Sequence, residues 1–245
     1  MNCINKIQKK ILRKVGKAIS DYKLINNNDS VLICLSGGKD SWTLLSVLKK
    51  LQQKAPINFQ LEAIHINNGY NETDIEKAAD KCAEIGIKLH ITNSKIDEVI
   101  EKNKRKNGSY CSFCARLRRG IIYKSARKNK FNKIALGHNR DDLNQTLIMN
   151  MFFSGRIKSM AIKLESDDKT NTIIRPLGYT SEKLTTAYSR NMKFPIIKNN
   201  CPHLKRDNQR ELIKKLLDKL EEENPGIKNS LFSSQRRITK THLLK

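Results

Sequence analysis

Acidic residues are scarce in this chain: 24 Asp and Glu stand against 48 Lys and Arg, for a formal net charge of +24. Such a balance favours a polyanionic partner, because each phosphate contact releases counterions. No apolar run approaches the ~18 residues of a membrane span, so no membrane partner is expected. The start, Met1-Asn2-Cys3-Ile4-Asn5-Lys6, lacks the apolar stretch and small-residue cleavage site of a secretory signal, and the expected compartment is the cytoplasm. No internal repeat is visible. With 245 residues, 38% hydrophobic and 29% charged, the chain reads as globular, one large domain or a domain with an appendage.

Without an export signal, the six cysteines (Cys3, Cys34, Cys82, Cys111, Cys114 and Cys201) point to metal or redox use at the close pair rather than to disulfides. Cys34 falls in an apolar run and Cys82 in a helical pattern, where both read as small buried hydrophobes.

Ile4, Ile7, Ile11, Leu12, Val15 and Ile19 recur at helical spacing, which predicts a basic amphipathic helix over residues 1–27. Continuous or alternating apolar runs predict strands at 31–35, 60–66, 88–92, 133–136 and 172–175. Helices are predicted at 41–53, 73–85, 96–104, 114–129, 141–153, 181–191 and 209–223, the last stopped by Asn224-Pro225-Gly226. The alternation implies an α/β fold: a parallel sheet with helices on both faces, a helical N-terminal segment over 1–28, a central domain over 29–200 and a small C-terminal helical extension over 201–245. Ligands of such sheets sit beyond the carboxyl ends of the strands.

Ser36-Gly37-Gly38-Lys39-Asp40-Ser41 follows the first strand and opens a helix. Its glycines permit a tight turn and let backbone N–H groups approach an anion, and the helix amino end adds positive potential. Lys39 suits phosphate oxygens, Asp40 suits Mg²⁺, and the serine hydroxyls suit phosphate. Asp40 between the lysine and the serine sets it apart from a Walker A loop. The loop resembles that of the PP-loop (N-type) ATP pyrophosphatases. That resemblance implies ATP binding, cleavage between the α and β phosphates, transfer of AMP to a carbonyl oxygen and release of pyrophosphate.

Cys111 and Cys114 form a Cys-x-x-Cys pair at a helix start, where the helix end and nearby arginines favour thiolate. Spacing alone leaves zinc, an iron–sulfur cluster and a redox disulfide open. Gly137-His138-Asn139-Arg140-Asp141-Asp142 also follows a strand and would share the crevice; Asp141 or Asp142 would place Mg²⁺ or substrate, or cap the helix.

The run Cys111-Ser112-Phe113-Cys114-Ala115-Arg116-Leu117-Arg118-Arg119-Gly120, then Ala135-Leu136-Gly137-His138-Asn139-Arg140-Asp141-Asp142-Leu143-Asn144-Gln145-Thr146, Met151-Phe152-Phe153-Ser154-Gly155, Ile174-Arg175-Pro176-Leu177 and Phe194-Pro195-Ile196-Ile197, closely resembles the TtcA family of tRNA 2-thiocytidine synthetases. The resemblance implies a Rossmann-related, HUP-like fold and a tRNA sulfurtransferase. It would adenylate the C2 oxygen of a cytidine, expected at position 32, and replace it with sulfur. It implies a [4Fe–4S] cluster held by Cys111, Cys114 and, by position, Cys201, with one iron open to sulfide. A common family pattern has two cysteines after the Pro-Ile-Ile segment; here only Cys201 follows. Relatives bind adenine along the second strand through main-chain groups, which makes Ile66 a contact. They often carry an acid just beyond it, where this chain has Asn67-Asn68. A homodimer, and a sulfur donor such as a cysteine desulfurase, belong to the same expectation.

Residues 102–130 contain 11 Lys or Arg and no acid, around the cysteine pair, which marks them as a surface for a tRNA backbone. Two competing readings are thiolation of a tRNA uridine by the same chemistry, and an RNA-binding metal protein whose ATP site is regulatory.

Overall fold

The computed structural model describes residues 3–67, 72–102, 110–166, 169–197, 208–239 and 241. In chain order it runs α1 (Cys3–Tyr22), β1 (Ser30–Cys34), α2 (Lys39–Gln52), β2 (Gln60–Asn67), α3 (Glu72–Ile85), β3 (Leu89–Asn93), α4 (Ile96–Lys102) and α5 (Tyr110–Lys128). There follow β4 (Lys133–Ala135), α6 (Arg140–Ser154), β5 (Lys163–Glu165), β6 (Thr172–Ile174), a 3-10 turn (Pro176–Tyr179), α7 (Glu182–Met192), α8 (Asn208–Glu223) and α9 (Ile227–Ser234).

The sheet has the order β3-β2-β1-β4-β6-β5. The β1 strand pairs in parallel with both β2 and β4, so its apolar Val31, Leu32 and Ile33 are wholly buried. Successive strand residues face opposite sides. On one side Leu32, Ile64 and Ile134 pack with Ala126 of α5 and with Phe131. The α2 helix, which buries Trp42, Leu44, Leu45, Val47 and Leu48, packs on β1 from the other. The expected α/β architecture with helices on both faces is therefore present.

Chain order reverses at β1, with β2 on one side and β4 on the other. This is a topological switch point, where the crevice beyond the carboxyl ends opens. The phosphate loop leaves β1 there and Gly137 leaves β4 there.

Three features depart from the sequence reading. The β5 strand is an antiparallel edge partner of β6, three exposed residues with no apolar run to announce it. The α5 helix starts at Tyr110 rather than at residue 114, so both Cys111 and Cys114 lie within it. The α9 helix continues past Asn224-Pro225-Gly226, with Gly226 at φ +102° as its cap.

The chain divides into two compact units, Met1–Asn139 with Ile162–Leu204, and Arg140–Ala161 with Lys205–Lys245. The first holds the sheet. In the second, α6 packs with α8 and α9. No helix among the described residues is long and apolar enough to cross a membrane.

Candidate active site

Gly37 takes φ +82°, a conformation that favours glycine. It also has no room for a side chain, since a Cβ would lie 2.5 Å from Cβ of Ile197. The Ile197 N–H donates to the Gly37 carbonyl at 3.1 Å. The segment carrying Ile197 is fixed to the loop helix: Trp42 Nε1 donates to the Pro195 carbonyl at 2.8 Å, and the Trp42 ring stacks on Phe194 at 5.6 Å. Ser36 and Ser41 close the loop from within, with Oγ atoms 3.2 Å apart, and Ser41 Oγ donates to the Gly38 carbonyl at 2.8 Å.

Lys39 points between two carboxylates. Its Nζ is 2.7 Å from Asp40 Oδ2 and 3.1 Å from Glu182 Oε1. Burial alone would lower the Lys39 pKa, but Asp40 and Glu182 outweigh it and hold the ammonium above its usual value. Thr185, one turn along α7 from Glu182, donates its hydroxyl to Asp40 Oδ1 and also lies 3.0 Å from the Glu182 carbonyl. Sequence reasoning missed both α7 residues; the acid in the first turn after Thr180-Ser181 was the available signal.

A third missed residue is His65. It is 5% exposed in β2, and its Nδ1 lies 2.9 Å from the Leu35 carbonyl, the last before the loop. Burial first, and the charge of Arg118 besides, lower its pKa against the opposing pull of that carbonyl. The neutral ring with a proton on Nδ1 donates this bond.

Gly137 brings the end of β4 against the loop helix. A Cβ there would lie 3.0 Å from the Ser41 nitrogen and 3.2 Å from the Asp40 carbonyl carbon. Beyond it, Arg175 Nε donates to His138 Nδ1 at 3.3 Å. Burial, and then Arg119, lower the Arg175 pKa, with Tyr123 acting against them.

The cysteine helix reaches the same sheet edge. Phe113, Cys114 and Leu117 pack against the cluster of Ile66, Ile96 and Ile100, so one apolar cluster contains the expected adenine contact and meets one expected cluster ligand. Cys111 is the second residue of α5. Cys201 lies outside the described residues. Cys82 is buried, as expected, whereas Cys34 is half-buried; burial pushes the Cys34 thiol up to about 12 and the Cys82 thiol up to about 11.

Ser36, Gly37, Gly38, Lys39, Asp40, Ser41, Ile66 and Gly137 all belong to the sheet-bearing unit. Asp141 and Asp142 belong to the other, where both face cations. Asp141 meets Arg140 at 3.4 Å and Lys228 at 3.7 Å, and Asp142 meets Arg210 at 2.9 Å.

A family model of the PP-loop domain matches residues 6–217. The tRNA-cytidine(32) 2-sulfurtransferase of Deinococcus radiodurans is 42% identical over 96% of this chain and 78% of its own length. That of Polynucleobacter asymbioticus is 39% identical over 98% of this chain and 80% of its own. The chain belongs to the tRNA-cytidine(32) 2-sulfurtransferase family. Among solved structures, the U34-tRNA thiolase NcsA from Methanococcus maripaludis, described with its [4Fe–4S] cluster, aligns with a TM-score of 0.80 at 29% identity. It covers 99% of this chain and 82% of that one. An NH3-dependent NAD synthetase from Campylobacter jejuni shares the fold alone, with a TM-score of 0.51 at 15% identity.

Proposed function

We propose that this protein is an ATP-dependent tRNA sulfurtransferase that adenylates the C2 oxygen of cytidine 32 and replaces that oxygen with sulfur. The carrying observation is the packing of Cys114 against the apolar cluster that includes Ile66, at the carboxyl edge from which the phosphate loop also departs. An activating site and a sulfur site belong at one edge when one atom must pass through both.

A carbonyl oxygen is a poor leaving group, and bonding it to AMP makes it a good one. In this reading the C2 oxygen attacks the α phosphorus and pyrophosphate leaves. Sulfur then takes the oxygen's place at C2, and AMP departs with the oxygen. The backbone of Gly37 and Gly38, with the hydroxyls of Ser36 and Ser41, holds the phosphates. Lys39 exchanges a carboxylate for phosphate oxygens and balances charge on the departing pyrophosphate. Asp40 is the magnesium ligand; its carboxylate is already aimed by Thr185. Adenine lies against the main chain at Ile66, and Gly137 keeps β4 close to the loop. A role for Asp141 or Asp142 in placing magnesium or substrate is part of the proposal, and requires them to exchange the cations they now face.

Cys111 and Cys114, at the amino end of α5, would suit a soft iron–sulfur centre as thiolates, with Cys201 as the third ligand. A [4Fe–4S] cluster bound there supplies the sulfur site. Arg116, Arg118 and Arg119 on the same helix meet the tRNA backbone. A sulfur donor such as a cysteine desulfurase, a cytoplasmic location and a homodimer complete the proposal. Met151, Phe152 and Phe153, 42%, 59% and 44% exposed at the end of α6, support a second copy as their cover.

The test is anaerobic reconstitution with iron and sulfide, followed by ATP and tRNA. The expected products are 2-thiocytidine, AMP and pyrophosphate. A verified cluster-loaded protein that converts no ATP to AMP with any tRNA overturns the proposal. The likeness to a U34 thiolase favours one second reading, uridine as the target, and mass spectrometry of the product nucleosides separates the two.

A further inference from the structure

The N-terminal helix has no part in the chemistry above, yet its surface is sharply divided. Ile11, Val15 and Ala18 are wholly buried. Gln8 Nε2 donates to Tyr188 of α7 at 2.8 Å, and Lys14 Nζ to the Tyr179 carbonyl at 3.2 Å. The helix is thus docked on the 3-10 turn and on α7, the helix whose first turns carry Glu182 and Thr185 to the phosphate loop. Its other face holds Lys6, Lys9, Lys10, Arg13 and Lys17, all exposed. At ~100° per residue these five fall within an arc of roughly 100°, opposite the buried residues. They span about 16 Å at ~1.5 Å per residue, a length over which a nucleic-acid strand presents several phosphates. Only Lys17 pairs with an acid on the helix, Asp21 at 3.4 Å. Among the described residues no carboxylate pairs with Lys6, Lys9, Lys10 or Arg13.

We propose that this outward face of α1 is a second docking surface for the tRNA phosphate backbone, separate from the arginines of α5; the inference rests on the tRNA-modifying reading above. A solvated charged face needs no such one-sidedness, and mixed charge would serve it better. A membrane surface is the other polyanion that a basic amphipathic helix meets. It requires a free apolar face to insert, and here that face is buried against the protein. Backbone contacts of this kind position the substrate without reading sequence, as suits a surface away from the target base.

The experiment compares the full-length protein with the fourfold variant Lys6→Gln, Lys9→Gln, Lys10→Gln, Arg13→Gln. Binding to tRNA and to phosphatidylserine vesicles is measured from ~50 to ~200 mM salt. For tRNA, the expected result is a Kd raised about tenfold or more and a slope of log K against log salt shallower by roughly 2 to 3, with ATP affinity and thermal unfolding unchanged. A variant with Lys6→Arg, Lys9→Arg and Lys10→Arg is expected to bind as the parent does, because the interaction is with charge. An unchanged Kd and slope in the fourfold variant overturns the inference. Weakening by Arg116→Gln with Arg119→Gln in that same experiment would leave the tRNA reading standing. Vesicle binding lost in the variant while tRNA binding holds assigns the face to a membrane and likewise overturns it. A parent that binds no tRNA sinks the tRNA reading, and this inference with it.

Discussion

Lys39 Nζ lies 3.1 Å from Glu182 Oε1, a contact that joins the phosphate loop to the first turn of α7 across 143 residues of sequence. Each partner is only partly buried, so the pair itself adds little stability, at most about 1 kcal/mol. Its consequence is orientation: the lysine is held over its own loop rather than swinging in solvent.

Removing that hold should therefore affect turnover more than folding. Glu182→Gln is expected to lower the kcat for tRNA-dependent pyrophosphate release about tenfold, equivalent to ~1.4 kcal/mol of barrier, with less than a ~2 °C change in Tm, near the scale of sub-kcal surface effects. Glu182→Asp should recover part of the loss. Thr185→Val, which frees Asp40, should instead raise the magnesium concentration needed for half-maximal rate. Equal effects of Glu182→Gln and Thr185→Val on magnesium dependence would refute the division of labour.

Gly137 stands out in the sequence because a glycine directly after a strand invites a close approach, and a Cβ there would lie 3.0 Å from the Ser41 backbone nitrogen. A methyl group there has a rigid helix start to displace. Gly137→Ala should cost about 1–3 kcal/mol of stability, the usual price of overpacking, and weaken ATP binding. Calorimetric titration with ATP measures the second effect. Binding as tight as the parent's would show that the loop tolerates being pushed off β4.

How far the sequence reached depends on how local the signal was. Ser36-Gly37-Gly38-Lys39-Asp40-Ser41 is contiguous, so its turn and its helix were both readable. So was β1, whose unbroken apolar run reflects burial on both faces. Glu182 and His65 were not readable as site residues, because their relevance lies in partners 143 and 30 positions away, respectively. The edge strand β5 carries no periodicity because neither face is buried. Asp141 and Asp142 show the converse. Acids in the first turn of a helix suit catalysis and helix stabilisation equally, and only the structure reveals Arg140, Lys228 and Arg210 facing them.

The cysteines make a separable prediction, because Cys34 and Cys82 serve as controls within the same chain. Cys111→Ser and Cys114→Ser should each abolish the broad visible absorbance of the anaerobically reconstituted protein and lower its iron content. Cys82→Ser, at a buried site where burial pushes the thiol up to about 11, should leave both intact. Cys201→Ser tests the third ligand by the same absorbance. A colourless parent containing zinc would replace the iron–sulfur assignment outright.

Acidification should loosen the loop through His65. Burial, the first cause, and Arg118 disfavour its charged form in the folded protein, while in the unfolded chain it takes a proton near the ordinary value of about 6.5. Below that value the unfolded state binds a proton that the folded state refuses, so stability is full above about pH 6.5 and declines as pH falls toward the depressed folded pKa. Protonation of the ring also places a charge beside Arg118 and beneath the Leu35 carbonyl that leads into Ser36. Chemical denaturation between pH 7.5 and about 5 should show stability falling with pH in the parent, and a shallower fall in His65→Gln, which retains an N–H donor for Leu35. Proton-detected titration of the ring gives the direct check, and a folded-state midpoint at or above the ordinary value would contradict the account.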